Sequence, residues 1–262
     1  MINLKCDAVL PECDMKPLED IENSITAEYK KSIWAKFLKA VNEFGLVKDG
    51  DKIAIEISGG KDSLLLYKLF QRLKKDKRRN FEFRAVNLNP GFKKEDLDNF
   101  KNNLLKLDID CEIFDTNIWK IANEKAKDYP CFLCAKMRRG SLYKKVEEYG
   151  YNKLALGHHF DDVIETTLIN IFYSGSVKTM TPEVDSTSGK LKVIRPLIYV
   201  EEKDIINYTK KNGILAMNCG CTIEAGKTSS KRKEVKDLLS DLEEKHPGIK
   251  KSVFNSMRNI NL

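Results

Sequence analysis

Residues 53–67 read Ile-Ala-Ile-Glu-Ile-Ser-Gly-Gly-Lys-Asp-Ser-Leu-Leu-Leu-Tyr, and this stretch decides the fold. Isoleucine at every second position predicts a buried strand, and the apolar run after Ser63 predicts a helix. The two glycines between them let backbone N–H groups approach an anion, and the helix start adds free N–H groups and the positive end of its dipole. The stretch therefore predicts a phosphate-binding turn, with these candidate residues: Ser58, Gly59, Gly60, Lys61, Asp62 and Ser63.

This turn differs from two common phosphate-binding motifs, because Gly-x-x-x-x-Gly-Lys-[Ser/Thr] and Gly-x-Gly-x-x-Gly are both absent. Ser-Gly-Gly-Lys-Asp-Ser after a strand instead resembles the PP-loop of the N-type ATP pyrophosphatases, which split ATP into AMP and pyrophosphate. A tight turn without a ligand is the alternative interpretation. Six specified residues between a strand and a helix argue against that alternative.

The composition is that of a globular protein: of 262 residues, 42% are hydrophobic and 32% are charged. No run approaches the roughly 20 apolar residues that span a bilayer, and the first residues lack the features of a signal peptide, so we expect a cytoplasmic protein without a membrane segment. The net charge of +7 fits a nucleic-acid partner and fits a lysine-rich solvated surface equally well. Seven cysteines, an odd number, argue against a disulfide framework in that compartment.

Strand and helix patterns alternate along the chain, which predicts an α/β fold with a parallel sheet flanked by helices. We expect an N-terminal lead and amphipathic helix in residues 1–45, a PP-loop α/β domain in residues 46–200, and a helical region packed on it in residues 201–262. Within the first part, residues 1–24 are predicted to be irregular and residues 25–45 to form the amphipathic helix.

A second signature, Gly157-His-His-Phe-Asp-Asp162, follows a predicted strand and opens a predicted helix at 161–173. Ligands of open α/β sheets bind at the carboxyl ends of strands, so we expect this segment to meet the PP-loop across one crevice. Asp161 and Asp162 are candidates for binding Mg²⁺ or for handling water near the phosphates, since carboxylates are natural Mg²⁺ ligands. An ordinary helix cap accounts for one aspartate only.

The two histidines of this signature are expected to differ in role, with His158 beside the nucleotide and His159 structural. The helix that follows is predicted to bury an apolar face, and we interpret its aromatic side chain as core. The residues expected to be buried are Ile164, Leu168, Ile171 and Phe172.

Cysteines form two separated pairs, Cys131-x-x-Cys134 at the start of a basic helix and Cys219-x-Cys221 further along. Four thiolates suit a tetrahedral zinc ion, three suit a [4Fe–4S] cluster with one open iron, and inert buried cysteines are the third alternative. Placement at a helix start beside Arg138 and Arg139 favours thiolate formation. The remaining cysteines are less informative. Cys111 is predicted to be a core residue, and no role is assigned to Cys6 or Cys13.

These motifs occur in one order along the chain: the PP-loop, Cys131-x-x-Cys134, Arg138-Arg-Gly-x-Leu-Tyr143, Gly157-His-His-x-Asp-Asp162, Phe172-Tyr-x-Gly175, Ile194-Arg-Pro-Leu197 and Glu202-Lys-Asp-Ile205. From about residue 30 to the C terminus the chain thereby resembles the tRNA 2-thiocytidine synthetase family, TtcA, within the TtcA/TtuA group of PP-loop tRNA thiolases. The resemblance implies an adenine nucleotide alpha hydrolase-like fold and an ATP-dependent tRNA sulfurtransferase. Such an enzyme adenylates C2–O of a tRNA pyrimidine, here cytidine to 2-thiocytidine, and replaces the oxygen by sulfur.

The resemblance also implies cofactors and partners, namely ATP, Mg²⁺, a [4Fe–4S] cluster, tRNA, and a sulfur donor that is free sulfide or a cysteine desulfurase. The family often forms dimers, so a homodimer is a further expectation. By the same resemblance Lys61 and the rest of the PP-loop hold the phosphates, and Gly157 and His158 line the nucleotide site. Asp161 matches the family's essential aspartate.

Three cysteines match the expected cluster ligands, with Cys131 and Cys134 first and Cys221 preferred over Cys219 as the third. The chain departs from the family here, because the family pattern is Cys-x-x-Cys-Gly-Ser, and it departs again in its acidic N-terminal lead and at Phe160. Three alternatives therefore stay open: a PP-loop enzyme that adenylates a small molecule, a cysteine-metal RNA-binding protein with an inactive nucleotide site, and a desulfurase.

Overall fold

A computed structural model describes residues 9–125, 130–217 and 229–259. Its centre is a six-stranded sheet in the order β3-β2-β1-β4-β6-β5. Every neighbouring pair is parallel except β5 with β6, which is antiparallel. The predicted α/β fold is therefore confirmed. The strands are β1 (Lys52–Glu56), β2 (Glu82–Asn89), β3 (Cys111–Asp115), β4 (Lys153–Ala155), β5 (Glu183–Asp185) and β6 (Lys192–Ile194).

Helices cover both faces of this sheet, and three of them lie within residues 202–256. Two elements escaped the sequence patterns, the short edge strand β5 and the helix α10. The helices are α1 (Leu18–Thr26), α2 (Ala35–Glu43), α3 (Lys61–Lys74), α4 (Lys94–Lys106), α5 (Ile118–Lys125), α6 (Pro130–Glu148), α7 (Phe160–Ser174), α8 (Glu202–Lys211), α9 (Ser229–Lys245) and α10 (Ile249–Ser256), with a π-helical turn at Lys30–Trp34.

The N-terminal prediction was wrong in one respect, because α1 lies in the stretch expected to be irregular. Pro17 directly precedes the helix, where its missing N–H costs nothing. Ile21 and Ile25, four residues apart, are fully buried in the main core, and that packing stabilises the helix. The single helix expected at 25–45 is instead divided by the π-helical turn.

Alternation along the strands separates the two faces of the sheet. Ile55 of β1 lies level with Ala155 of β4 and Ile194 of β6, and all three belong to the main core under α2, α3 and α8. Residues one position away, such as Ala54 and Val193, belong to a second core that includes α6. Side chains of consecutive strand residues therefore point alternately to the α3 side and to the α6 side of the sheet.

The helix predicted at 161–173 is present as α7, but half of its expected burial was wrong. Ile164 is fully buried, whereas Ile171 and Phe172 are 41% and 52% exposed. The cause is that only the first part of α7 is covered by other helices through apolar contacts. The apolar cluster that includes Phe160 and Ile164 continues onto α9 and α10 but does not extend to the end of α7. The three-part division of the chain stays a prediction.

Candidate active site

Gly59 of the PP-loop adopts a conformation that other residues rarely take, with φ of +87°. A Cβ atom there would lie 3.2 Å from the ring of Phe100 and 3.3 Å from the Cβ of Met217. The carbonyl oxygen of Gly59 accepts a hydrogen bond of 2.9 Å from the backbone N–H of Met217. The turn is therefore packed closely against α4 and against the segment after α8, and a glycine is required for two separate reasons.

Hydroxyl groups hold the rest of the turn. The backbone N–H of Gly60 donates to Ser58 Oγ at 3.3 Å, and Ser63 Oγ donates to the carbonyl oxygen of Gly60 at 2.9 Å. Gly60 is the N-cap of α3 and provides no side-chain hydrogen bond to the helix start. The first N–H groups of α3 are thus left for an anion, as the sequence predicts.

The second signature lies directly against the PP-loop. A Cβ atom on Gly157 would come within 3.1 Å of the backbone of Asp62 and Ser63, so the end of β4 and the start of α3 approach as closely as a glycine allows. The expectation that the two signatures meet in one crevice is confirmed.

His159 starts α7 as its N-cap. Its Nδ1 accepts a hydrogen bond of 3.4 Å from the backbone N–H of Asp162, and its own N–H donates to Asp162 Oδ2 at 3.1 Å. This reciprocal pair is a capping box, so His159 has the structural role expected of it. Burial opposes ionisation of Asp162, but the neighbouring histidines and Arg232 outweigh it and lower the pKa of that carboxyl.

Asp161 and Asp162 point to different surroundings. Asp161 is 7% exposed, accepts a hydrogen bond from the backbone N–H of Glu202 at 2.7 Å, and pairs with Lys250 of α10 at 2.9 Å. It thereby joins the starts of α7 and α8 to the C-terminal helix. Asp162 instead lines the cavity beside the PP-loop.

This cavity, which we call the charged pocket, has a volume of about 250 Å³. Three cations and four carboxylates surround it, so it carries one more potential negative charge than positive. Lys61 Nζ lies 3.2 Å from Asp62 and 3.1 Å from Glu202, and Asp62 Oδ1 is buried without a hydrogen-bond partner among the described residues. Its lining residues are Lys61, Asp62, His159, Asp162, Glu165, Glu202, Arg232 and Lys236.

Ionisation in the charged pocket is set by competition between burial and neighbours. Burial lowers the pKa of Lys61, but the carboxylates of Asp62 and Glu202 outweigh it and raise the pKa. Burial raises the pKa of Glu165 to about 7, and Arg232 offsets that only partly. Lys61 is therefore a full cation at neutral pH, and Glu165 titrates near neutral pH.

Sequence reasoning did not single out Glu165, Arg232 or Lys236 as residues of this pocket. The run of basic residues at 227–233 suggested either contacts to nucleic-acid phosphates or a solvated helix face. Arg232, whose side chain is 46% exposed, lies 3.1 Å from Asp162, while Lys236, one helical turn on, pairs with Glu202 at 2.6 Å. Their four-residue spacing on α9 was the available signal.

The cysteine site is only partly within the described residues. Cys131 lies in the first turn of α6, and Cys134 follows three residues later, half-buried beside the second core. Cys219 and Cys221 lie outside the described residues. No group of three His, Cys, Asp or Glu side chains in the described ranges is arranged to hold a metal ion. The ligand set Cys131, Cys134 and Cys221 stays a prediction.

Three findings relate this chain to known proteins. A model of the PP-loop domain family matches residues 29–217. The tRNA-cytidine(32) 2-sulfurtransferase of Citrifermentans bemidjiense is 37% identical over 224 residues, covering 85% of this chain and 88% of that protein. The protein of the same name from Syntrophotalea carbinolica is 38% identical, covering 85% of this chain and 86% of its own length.

A solved structure shares the fold. The U34-tRNA thiolase NcsA from Methanococcus maripaludis, determined with its [4Fe-4S] cluster, aligns with a TM-score of 0.71 and 23% identity. The alignment covers 99% of this chain and 87% of that chain. Among the described residues, no helix is long and apolar enough to cross a membrane.

Proposed function

Because this chain belongs to the PP-loop family and, within it, to the tRNA-cytidine(32) 2-sulfurtransferases, we propose that it converts cytidine 32 of tRNA to 2-thiocytidine. It is an ATP-dependent enzyme. The base oxygen O2 attacks the α-phosphorus of ATP and pyrophosphate leaves. Sulfide then attacks C2, the C2–O bond breaks, and AMP leaves with the former base oxygen. The observation that carries this proposal is the contact of Gly157 with the PP-loop, which joins both signatures in one crevice.

The phosphates of ATP are assigned to the PP-loop turn and the charged pocket. The free N–H groups at the start of α3 and the ammonium of Lys61 bind phosphate oxygens. Asp62 and Asp162 are the proposed Mg²⁺ ligands, since the unpartnered, buried Oδ1 of Asp62 fits a cation. When bound, Mg²⁺ supplies charge neutralisation on the phosphates.

Arg232 and Lys236 are assigned to the leaving pyrophosphate. In the ligand-free pocket their charges pair with Asp162 and Glu202. A polyphosphate with bound metal would bring a cation for the carboxylates and phosphate oxygens for the three basic groups. Each ion pair can therefore be replaced by contacts to this ligand, and no charge is left without a partner. The excess carboxylate in this pocket disfavours a free polyphosphate anion.

The cysteines are assigned to a [4Fe–4S] cluster on Cys131, Cys134 and Cys221. Cys131 and Cys134 are three residues apart at the start of α6. When bound, the cluster supplies the site that holds the incoming sulfur. Free sulfide or a cysteine desulfurase as donor, a homodimer and a cytoplasmic location complete the proposal.

The test is purification without oxygen, followed by measurement of iron, sulfide and zinc and of tRNA-dependent AMP and 2-thiocytidine formation. We expect about four irons and four sulfides per chain, and loss of both the cluster and thiolation in Cys131→Ala. Cys13→Ala, an exposed cysteine near the N terminus, is the matched control and keeps both. One zinc without iron would reject the cluster, and AMP formation with a small acceptor but not with tRNA would reject the thiolase.

A further inference from the structure

A second group of polar side chains lies at the same edge of the sheet, on the face that α6 covers. Glu56 and Arg195 directly follow Ile55 and Ile194, which face the α3 side, so Glu56 and Arg195 face the α6 side. Glu56 Oε1 lies 4.0 Å from the guanidinium of Arg138 on α6. We call this group the strand-end cluster; its members are Glu56, Arg138, Arg139, Tyr143, His158 and Arg195.

The strand-end cluster contains polar atoms without partners. Arg195 donates through one terminal nitrogen to the carbonyl oxygen of Thr181 at 2.7 Å, but its Nε is buried and has no hydrogen-bond partner within the described part of the chain. The same holds for Nδ1 of His158. A buried polar group that nothing satisfies destabilises the protein, so a ligand that supplies its hydrogen bond is the simplest explanation.

Charges in the cluster point to a ligand with both a donor and an acceptor. Burial raises the pKa of Glu56, and the opposing charges of Arg138 and Arg139 do not fully offset it. Burial lowers the pKa of His158 to about 4, so the imidazole is neutral near pH 7. A mostly neutral group with one exposed amino donor and one acceptor nitrogen meets these needs.

The location of the strand-end cluster in the fold narrows the identity of its ligand. His158 follows Gly157, which touches the PP-loop, and Leu156 donates its N–H to the carbonyl oxygen of Ile194, next to Arg195. On its other side the cluster faces α6, the helix that begins with the cysteine pair. It therefore lies between the nucleotide turn and the cysteines, where an acceptor for adenylation has to be.

We propose that the strand-end cluster binds the target pyrimidine and selects cytosine over uracil, an inference that rests on the proposed function and adds the residues that read the base. Glu56 accepts a hydrogen bond from the exocyclic amino group of cytosine, and the Nε–H of Arg195 donates to the ring nitrogen N3. Uracil carries a carbonyl oxygen where cytosine carries the amino group, and the carboxylate of Glu56 repels that oxygen.

The two contacts act at different stages of the reaction. When O2 attacks the α-phosphorus, the new O–P bond forms, the bond to the β-phosphate breaks, and the electron pair leaves with pyrophosphate. The ring gains one positive charge that is shared with the amino nitrogen. Glu56 therefore binds the transition state more strongly than the ground state, whereas Arg195 contributes to binding of the uncharged base.

The experiment compares two tRNA transcripts that differ only in cytidine or uridine at position 32, with pyrophosphate release and filter binding as readouts. In Glu56→Gln we expect the cytidine-to-uridine ratio of kcat/KM to fall about 10- to 100-fold, mainly through kcat on cytidine. In Arg195→Lys, which keeps the charge but loses the Nε–H, we expect a several-fold weaker binding of the cytidine transcript and a matching rise in KM. Glu82→Gln, at the opposite end of the sheet, is the control and changes neither.

The possible outcomes distinguish failure of the proposed base site from failure of the proposed thiolase function. If the parent protein releases pyrophosphate with the cytidine transcript but Glu56→Gln keeps the full base preference, the assignment of the base site is rejected and the thiolase stands. If Arg195→Lys lowers kcat without changing KM or binding, Arg195 does not hold the base. If the parent protein releases no pyrophosphate with either transcript, the proposed function itself is rejected.

Discussion

In the charged pocket each cation lies 3.1 Å or less from a carboxylate, whereas in the strand-end cluster two buried nitrogens have no hydrogen-bond partner within the described ranges. Both regions lie at the carboxyl edge of one sheet, on opposite sides of the segment that begins at Gly157. A site for a highly charged ligand keeps its charges matched until the ligand exchanges with them. In the proposed base site, the bound ring completes the hydrogen bonds that these buried groups lack.

The comparison implies that substitutions in the two regions impair different properties of the enzyme. Variants of the charged pocket are expected to damage ATP handling and leave the choice between cytidine and uridine intact. Variants of the strand-end cluster are expected to do the reverse. The predictions below concern the charged pocket, in order of expected effect, and each is set against the base preference measured for Glu56→Gln.

The largest effect is expected for Lys61→Ala. Lys61 is 14% exposed and is the cation closest to the PP-loop turn, so its removal takes away preorganised positive charge where the phosphates bind. We expect the rate of pyrophosphate release to fall about 100- to 1000-fold, with filter binding of tRNA unchanged. Lys106→Ala, at the end of α4, is the control. A loss of less than tenfold would mean that the backbone of the turn, not Lys61, carries phosphate binding.

Much of this region was predictable from local sequence, and the reason is visible in Gly59 and Gly157. Strand, turn and helix are encoded within 15 consecutive residues in the PP-loop stretch, and the glycines mark where the backbone has to approach its surroundings closely. The meeting of the two signatures followed from a general rule about parallel sheets. Residues that act through local geometry are therefore predictable from the sequence alone.

The rest depends on how distant segments pack. Lys236 and Glu202 are separated by 34 residues, and they pair because α9 packs on α7, which no local pattern encodes. The prediction for Phe172 failed for a related reason, since its spacing fits a buried face but the apolar cluster between α7, α9 and α10 does not include it. The direction in which Asp161 and Asp162 point was equally hidden, because both residues occupy the first turn of one helix.

The second prediction concerns Glu165, the carboxyl that titrates near pH 7. Its folded pKa is about 7 against an ordinary value of 4.5, so between these values the folded protein holds a proton that the unfolded chain releases. Stability from this group is therefore greatest below about pH 4.5 and is lost as the pH rises through 7. Relative to the parent protein, Glu165→Gln should gain on the order of 2–3 kcal/mol in unfolding free energy between pH 5 and pH 8.

Urea unfolding at several pH values measures this difference. Glu148→Gln, an exposed glutamate on α6, is the control and should follow the parent protein at every pH. Parallel curves for the parent protein and Glu165→Gln would show that Glu165 is charged throughout. The pocket would then hold its excess negative charge at all pH values, and the contrast with the strand-end cluster would be larger than described above.

The smallest expected effect is that of Arg232→Gln on pyrophosphate binding, and it sharpens the comparison most. Because carboxylates outnumber cations in the charged pocket, titration calorimetry should detect pyrophosphate binding to the parent protein with Mg²⁺ and little without it. Loss of one charge-assisted contact should weaken the Mg²⁺-dependent binding about tenfold. Lys233→Gln removes the same charge from the next residue of α9 and should have no effect. Since Arg232 does not belong to the strand-end cluster, the cytidine-to-uridine ratio should stay at the parent value; a changed ratio would mean that the two regions are one coupled site.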